Sequence, residues 1–223
     1  MDKYIGIVIV YALLLAVYAS IKKKAPFFVR SIVKMTLSTM FLLVAGLGLK
    51  DANQWTVLVF VALCFAWIGD WFLRYMGISA AKFNVGVVAF AVCQCVLVGN
   101  ALFNGGYGER GLLLPGAFLI AGLSTLVLWR MLAKSNAELG ISYPFVKGYM
   151  FTMSVLFGVS VYFMFTSGGS LAEILMTAGM FLFYVSDLFL GVYSYISKKT
   201  ALTVLNSITY FGGMMLIALS AAI

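Results

Sequence analysis

The stretch WTVLVFVALCFAWIGDWFL, residues 55–73, contains one charged side chain, Asp70, in nineteen positions. A run of about 20 mainly apolar residues is long enough to cross the hydrocarbon core of a bilayer as an α-helix. In lipid, every backbone polar group must be satisfied inside the segment, and this run lacks the alternation of a barrel strand. The stretch therefore predicts a transmembrane helix that carries a carboxyl group.

Similar apolar runs occur along the whole chain, which has 223 residues and is 64% hydrophobic and 10% charged. A soluble domain carries about 25% charged residues. We predict an all-α polytopic membrane protein, a single transmembrane domain over residues 1–223, with eight spans and short connections. The predicted spans are residues 4–21, 32–49, 55–73, 83–103, 111–129, 145–166, 174–195 and 201–223. Three lysines at 22–24 directly follow the first span, which indicates a retained helix rather than a cleaved signal peptide.

The net charge of +8 is divided unevenly between the two ends of the predicted bundle. Twelve of the fifteen basic residues flank the odd-numbered connections: Lys22, Lys23, Lys24, Arg30, Lys34, Arg74, Lys82, Arg130, Lys134, Lys147, Lys198 and Lys199. The even-numbered connections and the chain ends hold only Lys3, Lys50 and Arg110. By the positive-inside rule, the odd connections face the cytoplasm and both termini lie outside it, across the inner membrane if the cell is bacterial. We attribute the basic excess to topology and expect no nucleic-acid partner.

The cysteine and histidine content bears on metal and disulfide chemistry. Cys64, Cys93 and Cys95 all lie inside predicted spans, where cysteine behaves as a small apolar residue. The chain has no histidine, so the usual imidazole ligands of a zinc hydrolase are missing. We therefore expect neither a metal nor another cofactor.

A second stretch, YVSDLFL at residues 184–190, repeats the setting of Asp70 with Asp187. Of the seven acidic residues, only these two lie inside predicted spans. A carboxylate at the bilayer centre costs about 2.5–3.5 kcal/mol and is a functional candidate by default. Spans three and seven run in the same direction, and both aspartates fall at similar depth in the predicted cytoplasmic half. We predict that they face each other across one cavity.

The two aspartate stretches belong to a weak internal similarity. A small residue, Gly69 or Ser186, precedes each aspartate and allows a neighbouring helix to approach closely. Residues 33–34, Val-Lys in span two, are echoed by residues 146–147, again Val-Lys, in span six. These echoes predict a parallel four-plus-four repeat, whose axis lies along the membrane normal.

Structural explanations for the charged residues stay open beside the functional one. Asp70 could form an interfacial ion pair with Arg74, four residues later, and Asp187 could be a neutral acid bonded to a neighbouring helix. For Lys34, snorkelling to the surface and contact with a ligand phosphate are equally good interpretations. Two carboxyls in one cavity are the minimum needed for acid–base chemistry, so we favour a shared site. A lipid is the substrate most easily admitted between helices at that depth.

With these residues, the chain resembles the YhhN-type lysoplasmalogenase family of eight-span membrane proteins. Residues 62–73, ALCFAWIGDWFL, look like the first aspartate motif of that family, and residues 181–187, FLFYVSD, look like the second. Further matches lie at Lys34, at Phe83, Gly86 and Phe90, and at residues 209–211, Thr-Tyr-Phe. The order and spacing of these pieces extend the resemblance over most of the chain.

The resemblance implies a metal-independent hydrolase that cleaves the vinyl ether bond of a lysoplasmalogen. The products would be a fatty aldehyde and a glycerophospho-ethanolamine or -choline. A general acid protonates the vinyl carbon, and water then adds to an oxocarbenium-like cation with general-base assistance, as in glycoside hydrolysis by paired carboxylates. Asp70 and Asp187 would be the catalytic pair, with either one as the acid. Lys34, Gln94 and Tyr210 would bind the lysophospholipid substrate, with membrane lipid around the protein.

The chain departs from the family pattern at two positions. Gln94 stands where the family usually has histidine, and Met214 where it usually has glutamine. Gln94 shares a helix face with Gly86 and Phe90, so we expect its amide in the cavity, although an amide cannot exchange a proton at neutral pH. Two alternatives therefore remain: a lipid-binding protein without chemistry, and a proton-coupled transporter or flippase that uses the two aspartates as a relay. The parallel repeat and the off-centre aspartates favour the enzyme.

Overall fold

All eight predicted spans form helices. The structure, a computed structural model, describes residues 2–22, 25–75, 78–104, 113–133 and 139–223. The long helices of these residues are α1 (Asp2–Ile21), α2 (Phe27–Leu47), α3 (Gln54–Leu73), α4 (Ala80–Asn104), α5 (Leu114–Ala133), α6 (Tyr143–Thr166), α7 (Leu171–Tyr195) and α8 (Thr200–Ala222). Each is long and apolar enough to cross a membrane, so the all-α, eight-span class is confirmed. The four-plus-four repeat stays a prediction.

The helix ends differ from the predicted spans by a few residues. The largest difference is at α2, which begins at Phe27 rather than residue 32 and includes Arg30 in its first turn. Similarly, α5 continues through Arg130 to Ala133. In both cases a basic residue lies close to the end of the helix, at the end of the bundle. The helix can therefore continue past the apolar run from which the span was predicted. Lys23, Lys24, Lys134, the connection 105–112 and the side chain of Lys3 lie outside the described residues.

The two helices that carry the aspartates begin with the same kind of N-terminal cap. At the start of α3, Asn53 Oδ1 accepts a hydrogen bond from the Thr56 N–H at 2.9 Å, and Thr56 Oγ1 accepts one from the Asn53 N–H at 3.0 Å. At the start of α7, Ser170 and Glu173 form the same reciprocal pair. Such capping boxes satisfy backbone donors that have no partner inside the helix, and so fix where each helix begins.

Glycines bring each aspartate-bearing helix close to the next helix in the chain. A Cβ added to Gly69 on α3 would lie 2.5 Å from the Phe90 ring on α4, and one added to Gly86 would lie 3.3 Å from the Gly69 carbonyl oxygen. Likewise, a Cβ added to Gly213 on α8 would lie 2.8 Å from the carbonyl oxygen of Gly179 on α7. Close helix approach at small residues is a common basis of packing in membranes. The approach of a helix at Gly69, predicted from the sequence, is therefore present.

Tyrosines spaced by seven residues attach α1 to α8. Tyr4, Tyr11 and Tyr18 are buried, whereas most of the other side chains of α1 are partly or fully exposed. The Tyr4 hydroxyl donates a hydrogen bond to the Ala222 carbonyl oxygen at 2.6 Å, and the Tyr11 hydroxyl to that of Phe211 at 2.9 Å. A buried phenol needs such a partner, and these two bonds hold α1 along α8. The end of α1 is thereby placed beside the beginning of α8.

Candidate active site

A cavity of about 230 Å³ lies inside the bundle, and all eight helices or the residues next to them contribute to its wall. Asp70 and Asp187 both line it. Asp70 lies seventeen residues after the N-cap Asn53, and Asp187 lies seventeen residues after the N-cap Ser170. The two carboxyls therefore stand about 25 Å along their helices from equivalent starting points, at a rise of about 1.5 Å per residue.

Three donors from neighbouring helices surround the Asp70 side chain, which is 2% exposed. Its Oδ1 lies 2.8 Å from the Lys34 ammonium on α2. Its Oδ2 accepts hydrogen bonds from the Ser38 hydroxyl on α2 and from the Tyr210 hydroxyl on α8, both at 2.7 Å. Ser38 follows Lys34 by one helical turn, so both donors stand on the same face of α2. An ammonium and two hydroxyls are the partners that an ionised carboxylate requires when it is buried.

The Lys34–Asp70 ion pair overturns two of the structural explanations considered above. The Arg74 guanidinium does not pair with Asp70. It lies 4.5 Å from the centroid of the Trp71 ring, in a cation–π contact. Lys34 does not snorkel to the surface, because its ammonium is paired with Asp70 on the facing helix. Contact of Lys34 with a substrate phosphate stays a prediction.

Asp187 has neutral partners. Its Oδ2 accepts a hydrogen bond from the Tyr149 hydroxyl on α6 at 2.6 Å and another from Gln94 Nε2 on α4 at 3.2 Å. No lysine or arginine in the described part of the chain forms an ion pair with it. Both of these bonds fall on Oδ2, and the side chain is only partly buried because it borders the cavity. Asp187 is thus the carboxyl that can hold or release a proton without breaking an ion pair.

Gln94 lies behind Asp187 rather than in the cavity wall. Its side chain is 0% exposed. The amide nitrogen donates to Asp187, and the amide oxygen accepts a hydrogen bond from the Thr152 hydroxyl at 2.5 Å. The expectation that this amide lines the cavity is therefore corrected, because Asp187 and Thr152 satisfy both of its ends. Met214, the second departure from the family pattern, is a fully buried core residue.

Tyr210 stands in the cavity wall within a cluster of aromatic rings. The centroid of its ring lies 5.8 Å from those of Phe90 and Phe183 and 4.9 Å from that of Phe211. Edge-to-face contacts of this kind hold a ring in one orientation. They aim the Tyr210 hydroxyl at Asp70.

The cavity wall has a polar side and an apolar side. The polar side is formed by α1, by the residue directly after it and by α8. Its described wall residues are Tyr18, Lys22, Asn206, Ser207, Tyr210 and Phe211. Those from α5 and α6 are Leu128, Met131, Val146, Tyr149, Met150 and Met153. Asp70 bonds to α2 and α8, near the polar side, whereas Asp187 bonds to α4 and α6, near the apolar side. An amphipathic ligand would therefore place its polar end toward Asp70 and its chain toward Asp187.

Four functional candidates in the structure were not predicted from the sequence. Ser38 could have been found, because it follows Lys34 by four residues on one helix face. Tyr149 and Thr152 gave no signal, since their partners are on other helices. The sequence indicates Lys22 only as a topology marker, although this residue lines the cavity.

An eight-helix bundle with two carboxyls in the wall of one cavity defines a polytopic membrane protein with a candidate acid–base site. The model of the YhhN family matches residues 29–221, from the first turn of α2 to the last turn of α8, and includes both aspartates. The chain belongs to the YhhN family. Comparisons with curated proteins and with solved structures found no match.

Proposed function

We propose that this membrane protein is a lysoplasmalogenase-like hydrolase, which cleaves the vinyl ether bond of a lysophospholipid to a fatty aldehyde and a glycerophospho-alcohol. Membership of the YhhN family is consistent with this activity. The observation that carries the proposal is the unequal pair of carboxyls in one cavity, one with a lysine partner and one with neutral partners. Paired carboxyls whose surroundings favour opposite protonation states are the usual basis of acid–base catalysis.

In this proposal Asp187 is the general acid. It donates its proton to the vinyl carbon that does not bear oxygen, and the π electron pair of the double bond forms the new C–H bond. The neighbouring carbon and the ether oxygen then share a positive charge. The protonated carbon is on the alkyl side of the bond, which agrees with the position of Asp187 next to the apolar wall of α5 and α6.

Asp70 is the general base. Its negative charge stabilises the oxocarbenium-like cation, and it accepts a proton from the water that attacks the carbon bearing oxygen. The product of that step is a hemiacetal. Asp70 then returns its proton to the departing glycerol oxygen as the C–O bond breaks, while the hemiacetal hydroxyl gives its proton to Asp187. Both carboxyls regain their starting states, and no further reactant is consumed besides one water.

Lys34 and Tyr210 assist Asp70 in this scheme. The ammonium and the hydroxyl bind separate carboxylate oxygens, so they keep Asp70 charged and fix its orientation. Both residues line the cavity; Tyr210 contacts the substrate near its polar end, whereas Lys34, whose ammonium is paired with Asp70, acts through that carboxylate. Gln94 acts from behind, as a positioning residue for Asp187.

Aldehyde release from defined lipids tests the proposal. Purified protein in detergent micelles or vesicles is incubated with a lysoplasmalogen, with the matching 1-acyl lysophospholipid, and with a diacyl phospholipid. We expect aldehyde from the lysoplasmalogen and no product from the two esters, because only a vinyl ether can be activated by protonation at carbon. A folded protein that binds the lysoplasmalogen and releases no aldehyde from it would exclude the hydrolase.

A further inference from the structure

Lys22 contributes an unmatched positive charge to the cavity wall. It directly follows α1, and its ammonium donates hydrogen bonds to the Thr203 carbonyl oxygen and to the Ser207 hydroxyl on α8. These are neutral acceptors, and no carboxylate in the described ranges pairs with Lys22. The other lysine in the described wall, Lys34, already has Asp70 as its counter-ion. The polar side of the cavity therefore carries a net positive charge.

The surroundings of Lys22 make this charge costly. Burial, together with the positive charges of Lys34 and Arg30 on α2, lowers the pKa of the Lys22 ammonium to about 8. Arg30 contacts the same turn, because its Nη1 donates a hydrogen bond to the Lys22 carbonyl oxygen at 3.2 Å. Among the described residues, Lys22 also contacts the Tyr18 ring on α1, with its centroid 5.6 Å away, and the two neutral oxygens on α8. A bound anion would offset the repulsion among these cations.

A second polar group in the wall has no partner. Ser194, near the end of α7, lines the cavity and is 8% exposed. Its hydroxyl is buried and makes no hydrogen bond with any described residue. A buried hydroxyl without a partner costs about 1–3 kcal/mol, so this one is expected to be satisfied when the cavity is filled. Phosphate oxygens accept hydrogen bonds from hydroxyl groups and from ammonium groups.

We propose that Lys22, which is held in place by Ser207, and the hydroxyl of Ser194 form a subsite for a phosphate ester anion at the polar end of the cavity. The identification of this anion as the headgroup of a lysophospholipid rests on the function proposed above. The subsite is distinct from Lys34, whose charge is taken up by Asp70. With the phosphate at Lys22 and the alkyl chain along α5 and α6, the vinyl ether between them would lie next to the two aspartates.

Binding of lipids that cannot be hydrolysed tests the subsite without turnover. Titrations of purified protein in micelles would use four probes. These are a saturated 1-O-alkyl lysophospholipid, the 1-O-alkylglycerol of the same chain length, glycerophosphoethanolamine, and inorganic phosphate. We expect the alkyl lysophospholipid to bind at least about tenfold more tightly than the alkylglycerol, the usual range for one charge-assisted contact. Equal affinity for these two lipids would overturn the proposal.

Variants of Lys22 locate the phosphate contact. Lys22→Gln should remove the preference for the phosphorylated lipid, and Lys22→Arg should keep most of it. Lys199→Gln is the matched control, because it removes the same charge from an exposed position at the start of α8. A Lys22→Gln protein that keeps the full preference would contradict the assignment. Binding of inorganic phosphate as tight as that of the lipid would assign the subsite to free phosphate instead, and would also overturn the proposal.

The wild-type protein offers a further measurement, in case the variants do not fold. The free Lys22 ammonium is charged below a pKa of about 8 and neutral above it. The preference for the phosphorylated lipid should therefore be complete at pH 7 and fall as the pH rises above about 8. A preference that stays constant to pH 10 would exclude Lys22. Lys22-dependent binding without aldehyde release would contradict the proposed hydrolase activity and support the phosphate subsite. Aldehyde release without Lys22-dependent binding would support the hydrolase activity and contradict the subsite.

Discussion

Asp70 and Asp187 stand at the same distance from the caps of their helices, but only Asp70 is paired with a lysine. The Lys34 ammonium lies 2.8 Å from Asp70 Oδ1, whereas Asp187 receives its hydrogen bonds from the neutral Tyr149 and Gln94 side chains. Equivalent positions in the sequence thus have unequal electrostatic surroundings. This inequality is the basis for giving the two carboxyls different roles, and it leads to predictions that separate them.

Replacing either aspartate by asparagine should abolish hydrolysis. Asp70→Asn and Asp187→Asn keep the side-chain shape and remove the acid–base function, so we expect aldehyde release to fall by about 10²–10⁴-fold. Asp70→Asn should also lower the stability, on the order of 3 kcal/mol, because it leaves Lys34 without its counter-ion. Turnover assays and thermal unfolding measure the two effects. Asp51→Asn, at an exposed site outside the cavity, is the control. Near-wild-type turnover in either variant would make that residue structural.

Lys34→Met should act mainly through Asp70. We expect kcat to fall and KM to change little, because the variant removes the partner that keeps the base charged. The double variant Lys34→Met with Asp70→Asn should be more stable than the sum of the single effects predicts, since it leaves no unpaired charge. Denaturation of the four proteins of the cycle measures this coupling. A large rise in KM with an unchanged kcat would instead show that Lys34 holds the substrate phosphate.

Gln94→Leu should reduce turnover without weakening substrate binding. Its amide orients Asp187 from behind and lies outside the cavity, so we expect kcat to fall about tenfold at constant KM, as for other supporting hydrogen bonds. Cys95→Ala changes the next residue, which is exposed on another face of α4, and should have no effect. Gln94→His restores a donor and should add a limb to the rate–pH profile. Unchanged kcat in Gln94→Leu would show that Asp187 is oriented by Tyr149 alone.

Both chain ends should lie outside the cytoplasm. The expectation follows from the concentration of basic residues at the odd-numbered connections. Fusions of a reporter that works only outside the cytoplasm should be active at Met1 and at Ile223, and a fusion at Lys199 should be inactive. A cytoplasmic signal from either end would refute this orientation.

Two adjacent glycines on α8 allow a matched test of the α7–α8 contact. Gly213→Ala should destabilise the protein by about 1–3 kcal/mol, because its Cβ would lie 2.8 Å from the Gly179 carbonyl oxygen, a backbone atom that cannot rotate away. Gly212→Ala meets no atom within 4 Å and should be neutral or slightly stabilising. Thermal unfolding in one detergent compares the two. Equal stability of the variants would mean that α7 and α8 are farther apart than described.

The sequence predicts the helices better than it predicts the contacts between them. Apolar runs near 20 residues identify all eight spans, because crossing a bilayer imposes a length and a composition on each segment separately. The partners of the carboxyls depend on how helices from distant parts of the chain are arranged. The pairing of Asp70 with Lys34 rather than with Arg74 is an example, since the nearer residue in sequence is not the nearer one in space.

The same limit explains what was missed at the site. The sequence places Gln94 on the same face of α4 as Phe90, a cavity residue, but it cannot show that Asp187 and Thr152 enclose the Gln94 amide. Lys22 looked like one more cation among the topology signals. Its position in the cavity wall follows from the tyrosines of α1, which hold that helix along α8 and place Lys22 beside Ser207.

The capping boxes make the interval between each cap and its aspartate intolerant of changes in length. Adding or deleting one residue between Asn53 and Asp70, or between Ser170 and Asp187, would rotate the carboxyl by about 100° around its helix and shift it by about 1.5 Å. Neither carboxyl could then reach its partners. Alignments of related chains should therefore place gaps in the connections and leave these two seventeen-residue intervals intact, which gives a simple way to recognise chains that preserve the site.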